Sequence, residues 1–185
     1  MTTIVRAAVA ADYDDIRRIG VDAYVSGGFI EADGPYAREL AAVEERAGTH
    51  PVYVAVRDGA VVGSVTLASG AGHLVEFAEA GQVEMRMLTV APEHQRAGVA
   101  RALVSHSIAV VREEGFDSIV LRSATDLLPA HALYASMGFE RYEQQDHRLN
   151  PDTFQLAFIY RARGVVGDAG AASAPLGASS LGATA

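Results

Sequence analysis

The stretch Leu88–Leu103, LTVAPEHQRAGVARAL, decides how this chain of 185 residues folds. It runs an apolar, β-rich segment into a proline, through a polar turn, and out into a pattern with the helical period. A strand that passes by a short loop into a helix leaves the first amide N–H groups of that helix unpartnered, beside the positive end of its dipole. Such a corner is ready to hold an anion. Gly98 lets a phosphate come close to the main chain, and the small Ala100 lets the helix begin tightly against the strand.

The flanking sequence supplies the rest of a domain. QVEMRMLTV reads as the preceding strand, and the helix from Gly98 carries Val99, Leu103, Val104, Ile108 and Val111 on one stripe, with Arg101, Ser105 and Arg112 opposite and Gly115 as its stop. Upstream, TTIVRAAV reads as a strand, and Asp12, Asp14 and Asp15 cap a helix through YDDIRRIGVDAYV. A single helix is predicted from Pro35 to Gly48, with Leu40 and Val43 on its buried side. Two β-rich runs in PVYVAVRDGAVVGSVTLAS are joined by Asp58-Gly59, the strongest hairpin signal in the chain. Downstream come a strand in FDSIVLRS, a helix in LLPAHALYASMG, and two further β-rich runs, FERYE and TFQLAFIYRA. Strands interleaved with helices, plus one hairpin, make this an α/β (α+β) fold with a mixed sheet, not a doubly wound nucleotide fold. From Gly164 onward the sequence is Gly-, Ala- and Ser-rich with one charge, too poor in large apolar groups to offset the entropy of ordering. Residues 164–185 are predicted to form a disordered tail.

Composition excludes several classes of chemistry. The chain has no cysteine, hence no disulfide, thiolate metal site or cysteine nucleophile. All 15 basic residues are arginine, which removes a phosphate-loop lysine and lysine Schiff-base chemistry. The formal net charge of −8 disfavours nucleic acid as a partner and suits a cationic one. No apolar run is long enough to span a bilayer, and the N-terminus does not read as a signal peptide, so no membrane partner and a cytoplasmic location are expected. His50, His73, His94, His106, His131 and His147 form no ligand-spaced cluster, so no metal is expected.

Gln95-Arg96-Ala97-Gly98-Val99-Ala100 fits the pattern Q/R-x-x-G-x-G/A, and AHALYASMGF follows it in the same chain. In these motifs and their order, the chain resembles the GNAT superfamily of acyl-CoA-dependent N-acetyltransferases. The resemblance implies a single domain over residues 1–163 with a V-shaped central sheet flanked by helices, split beside the MRMLTV strand. It implies that main-chain groups of Leu88 and Val90 bind the pantetheine arm of acetyl-CoA, and that amides around Gln95, Arg96, Gly98, Val99 and Ala100 hold its pyrophosphate. It further implies Glu84 as the base that takes a proton from the amine, Tyr134 as the donor to the departing thiolate, and the Leu88 N–H as the group that meets the developing oxyanion. Glu76 and Glu79 are the reserve candidates for the base. Many relatives carry Asn where this chain has Pro129, which puts one cofactor contact in doubt and suits a first helical turn instead.

The activity implied is acetyl transfer from acetyl-CoA to a small-molecule or peptide primary amine, directly and within a ternary complex. A non-catalytic acyl-CoA-binding or sensing module and a peptide or protein N-terminal acetyltransferase remain as alternatives, and a homodimer stays open. The acceptor is expected to lie among Asp22, Glu31, Asp33, Glu76 and Glu79, with Tyr24, Phe29, Tyr36 and Phe77 as apolar walls.

Overall fold

The opening stretch forms a strand, a short 3₁₀ turn at Pro92–His94 and a helix. A computed structural model of the chain describes residues 2–28, 30–151 and 153–163. Phe29 and the predicted tail over 164–185 lie outside the described residues. In chain order the elements are β1 (Ile4–Ala7), α1 (Tyr13–Ser26), α2 (Pro35–Ala41), α3 (Val43–Thr49), β2 (Val52–Arg57), β3 (Ala60–Ala68), β4 (Gln82–Val90), α4 (Val99–Glu113), β5 (Ser118–Ala124), α5 (Leu128–Ser136), β6 (Glu140–Arg141), β7 (His147–Asn150) and β8 (Thr153–Arg161).

The strands form one sheet in the order β1-β2-β3-β4-β5-β8-β6, with β7 also on β8. All pairs are antiparallel except β4 with β5, which need the crossover helix α4 between them. Residues of α4 and α5 pack with β3, β4, β5 and β8 in the largest core cluster, including Val99, Leu103, Val104, Val111, Tyr134 and Phe158. The first three helices supply two further clusters, around Ile16, Ile19 and Val43 and around Leu40 and Met87. The result is a mixed, mostly antiparallel sheet with flanking helices. Among the described residues no helix is long and apolar enough to cross a membrane.

Two elements differ from the sequence reading. The helix predicted from Pro35 to Gly48 is broken at Ala42, whose ψ of 57° leaves the helical region. Arg46, only 3% exposed, donates from Nη1 to the carbonyls of Leu40 at 2.8 Å and Glu39 at 3.4 Å, so it caps the end of α2 from within α3. Between the β-rich runs FERYE and TFQLAFIYRA, where no element is predicted, lies β7, whose four residues are all exposed, so no buried alternation marked it.

Asp12 sits beneath the start of α1 without capping it through its side chain. Its carboxylate instead accepts from Arg6 at 2.6 and 2.8 Å and from the Val9 N–H at 2.8 Å. The Arg6 guanidinium, helped by the Val9 N–H, holds its pKa below the usual range against the opposing effect of burial. A depressed carboxylate pKa stabilises the fold above the unfolded-state value of ~3.9 and loses that contribution as pH falls through the folded value. Because Arg6 is 42% exposed, Asp12→Asn is expected to cost about 1 kcal/mol at neutral pH. That difference from the parent should vanish in acid unfolding curves.

Candidate active site

The site begins where the sheet opens. The parallel ladder pairs Gln82, Val83 and Glu84 with Ser118, Ile119 and Val120 and then stops, although β4 runs on to Val90 and β5 to Ala124. On its other edge β4 stays paired with β3, but with a bulge: Met87 and Leu88 together face Val65. Met87 has φ of 52°, a left-handed conformation that costs a non-glycine residue of order 1–3 kcal/mol. The Ala91 N–H donates to Val62 O at 3.0 Å, toward β3, so by strand alternation Leu88 and Val90 turn their main-chain groups to the open side. The bulge bends β4 where it parts from β5 and leaves that edge without a strand.

The end of β4 delivers the chain to the anion corner. Arg96 and Gly98 have φ of 57° and 83°, and Gly98 stands immediately before the first residue of α4. Among the described residues the amides of Arg96, Gly98, Val99 and Ala100 make no hydrogen bond; the first bond into the helix is Ala102 N–H to Gly98 O at 3.0 Å. The Gln95 N–H, by contrast, is turned back onto Pro92 O at 3.3 Å. Gln95, Arg96 and Gly98 are exposed, whereas Val99 is buried and pins the helix start to the core. Two supports escape a reading of local sequence. Arg57, at the end of β2, donates to Ala97 O at 2.8 Å and fixes the loop from outside. At Gly63 a Cβ would lie 2.7 Å from Thr89 O and 3.1 Å from Val99 Cγ1, so only glycine lets α4 come this close to the sheet.

Glu84, the last β4 residue in the parallel ladder, is 1% exposed. Its Oε2 accepts from the N–H groups of Glu76, Phe77 and Ala78 at 2.9, 3.1 and 3.3 Å, and its Oε1 from Arg86 at 3.1 Å. The carboxylate thus ties the loop between β3 and β4 across the mouth of the split. Arg86 also pairs with Glu76 at 2.6 Å and reaches Glu39 at 3.6 Å. Its guanidinium is held above its ordinary pKa by these carboxylates against the effect of burial. Glu84→Gln places amide hydrogens among N–H donors. It is expected to cost about 1–3 kcal/mol in denaturant unfolding and to raise amide exchange at residues 76–78. Unchanged exchange there would remove the anchoring role.

Tyr134 lies in α5, 6% exposed, with its ring 5.6 Å from those of Phe139 and Phe158. A buried tyrosine ordinarily finds a partner for its hydroxyl, yet among the described residues this one has none. Burial, reinforced by Tyr24, pushes its pKa well up, so the phenol stays protonated. Pro129 occupies the first turn of α5. Of the residues expected around an acceptor, Glu76 pairs with Arg86 and Phe77 lies under Arg122, while the rings of Tyr24 and Tyr36 meet edge-on at 5.4 Å, burial raising the pKa of both against the lowering effect of Arg86. Asp22, Glu31, Asp33 and Glu79 stay on the exposed surface.

Comparison with known proteins gives this geometry a context. Residues 13–139 match the model of the acetyltransferase (GNAT) family. The chain is 38% identical over 63 residues to N-acetyltransferase 8 of Homo sapiens, a match that covers 34% of this chain and 28% of that protein. It therefore spans under a third of the length of that curated relative. A GNAT-family acetyltransferase from Staphylococcus aureus Mu50 superposes with a TM-score of 0.69 at 12% identity, covering 88% of this chain and all (100%) of that one. The structure of yncA from Salmonella typhimurium with its cofactor acetyl-CoA superposes with a TM-score of 0.65 at 22% identity, covering 92% and 100%. At those identities the likeness is one of fold. With a family model spanning more than half of its length, the chain belongs to the GNAT acetyltransferase family.

Proposed function

We propose that this protein is an acetyl-CoA-dependent N-acetyltransferase that transfers the acetyl group directly to a primary amine in a ternary complex. One observation carries the reading: β4 loses its partner at Glu84, keeps an open edge through Leu88 and Val90, and ends at a helix start whose amides are unspent. That continuous run of main-chain donors and acceptors fits an extended amide-bearing arm followed by a pyrophosphate. The chemistry that acetyl-CoA supplies there is an acetyl group activated as a thioester.

The chain's own residues have separate tasks in this reading. Leu88 and Val90 align the arm, and the Leu88 N–H meets the carbonyl oxygen as it gains charge. Arg96, Gly98, Val99 and Ala100 hold the diphosphate, with Gln95 shaping the turn before them. An alkylamine with a pKa near ~10.4 must lose a proton before or during attack. The carboxylate cluster on Arg86 takes it: Glu84, saturated by four donors, holds the loop, and Glu76, the exposed member, accepts the proton on the oxygen it turns toward Arg122. Tyr134 donates to the sulfur. Absence of cysteine from the chain favours direct transfer over an acyl-enzyme.

The deciding experiment is calorimetric titration of acetyl-CoA into the purified protein, with dephospho-CoA and ATP as controls, followed by transfer assays on an amine panel. Selective binding of acetyl-CoA and formation of an N-acetyl product are expected. A folded protein that binds no acetyl-CoA would remove the proposal.

A further inference from the structure

Arg122 stands two residues beyond Val120, the last β5 residue paired with β4, just as Arg86 stands two beyond Glu84 on β4. The two arginines thus flank the opening of the sheet, and Glu76 spans it, with Oε1 2.6 Å from Arg86 Nη1 and Oε2 3.9 Å from Arg122 Nη1. Their situations differ. Arg86 has three carboxylates around it, at 2.6, 3.1 and 3.6 Å. Arg122 gives Nε to Gln145 O at 2.8 Å and lays one face of its guanidinium over Phe77 at 4.0 Å. Those contacts leave its Nη edge: among the described residues neither Nη group reaches an acceptor within hydrogen-bond distance, although the side chain is only 13% exposed.

Neither Nη is among the buried unpartnered atoms of the described residues, so both donors reach solvent and stand ready for a ligand entering the split. Gln145 and Phe77 also fix its plane, which favours a planar, two-oxygen acceptor over a single point charge. Across the 3.9 Å gap stands a carboxylate oxygen that can receive the N–H of an amine. In an α-amino acid the nitrogen and the carboxyl carbon are both bonded to one carbon, roughly 2.5 Å apart by standard geometry. That compact pair of opposite charges fits an ion pair held open at 3.9 Å.

We infer that the acceptor is a free α-amino acid, its carboxylate bound by Nη1 and Nη2 of Arg122 and its amine set against Glu76. The inference rests on the acetyltransferase reading and adds the substrate class. In the transfer an N–C bond forms and the C–S bond breaks. The proton lost by the nitrogen balances the one gained by the sulfur, so the products are an N-acetyl amino acid and free CoA. Arg122 is then the residue that separates amino acids from amines lacking a carboxylate.

The test compares kcat/KM for a panel of L-amino acids with that for their α-amides, at fixed acetyl-CoA. One charge-assisted recognition site predicts a preference of about 10- to 100-fold for the best acid over its amide. In Arg122→Gln that ratio should fall to near one, with acetyl-CoA affinity and Tm little changed. Equal use of acid and amide by the parent overturns the inference, as does an Arg122→Gln protein that slows both alike. Calorimetry on the parent, with CoA present, supplies a readout free of both variant and turnover: N-acetyl amino acids should bind more tightly than their amides, and equal binding overturns the inference. Failure to bind acetyl-CoA at all defeats the acetyltransferase reading itself. Acetylation of amides without preference for acids defeats only the substrate class.

Discussion

Gly98→Glu is expected to abolish acetyl-CoA binding, with Kd rising at least ~1,000-fold, which corresponds to about 4 kcal/mol. Three costs act together. The φ of 83° belongs to glycine, and any other L-residue there pays about 1–2 kcal/mol of backbone strain. The added side chain enters the space in front of the free amides, and its carboxylate repels a diphosphate at the same spot. Each hydrogen bond lost to a charged group removes about 1.5–3 kcal/mol more. A Cβ at Gly98 meets nothing within 4 Å, so the substitution clashes with no part of the protein and the folded state should survive. Gly98→Ala isolates the strain and should weaken binding by about 5- to 30-fold, in keeping with that strain. A folded Gly98→Glu protein that retained its affinity in calorimetry would show that the phosphates sit elsewhere.

Gly98 also shows why this corner was legible in sequence. A glycine before an amphipathic helix, a proline at the strand exit and the Asp58-Gly59 turn are local instructions, each written within a few residues of its effect. Long-range instructions left no such trace. The break at Ala42 depends on Arg46 reaching back to the carbonyls of Glu39 and Leu40. The geometry of the loop before α4 depends on Arg57, which lies 40 residues before its acceptor at Ala97. Gly63 reads as an ordinary strand residue until α4 is packed over it. The bulge at Met87 breaks the two-residue period of a strand that otherwise reads as continuous.

The same distinction governs the candidate site. Its cofactor half is mostly main chain, and a main-chain site is announced by the residues that permit it. The half proposed to handle protons is side chains drawn from β4, β5, α2, α5 and the loop between β3 and β4, gathered only by folding. The family resemblance singled out Glu84, but nothing in the sequence hinted that three loop amides would be aimed at it. Nor did it show that Arg122, on another strand, would stand across the split from Arg86 with part of its guanidinium unused. A carboxylate that ties down a loop and an exposed carboxylate on the same arginine look identical in sequence. Their hydrogen-bond partners set them apart.

Tyr134→Phe is expected to lower kcat by about 100- to 1,000-fold, the range for loss of one proton-transfer group, with acetyl-CoA affinity nearly unchanged. The ring is what the fold uses: it packs against Phe139 and Phe158, and phenylalanine keeps that packing. The hydroxyl has no partner among the described residues, so its removal breaks no structural hydrogen bond and Tm should hold. The raised pKa also restricts how the hydroxyl acts. A phenol held above its ordinary value of ~10 cannot fully protonate a thiolate of pKa ~8.5 without paying at least ~2 kcal/mol. In the proposed reaction Tyr134 is therefore expected to act chiefly by donating a hydrogen bond to sulfur as negative charge grows there, with the proton lost by the amine restoring the balance. Because its pKa lies above the ordinary value for a phenol, the protonated form persists to higher pH. The parent enzyme should then show no loss of kcat from this group up to about pH 10. The Phe variant should keep the shape of that profile at a lower level. Lost stability with an intact specific rate would instead make Tyr134 a packing residue and place the donor to sulfur elsewhere in the split.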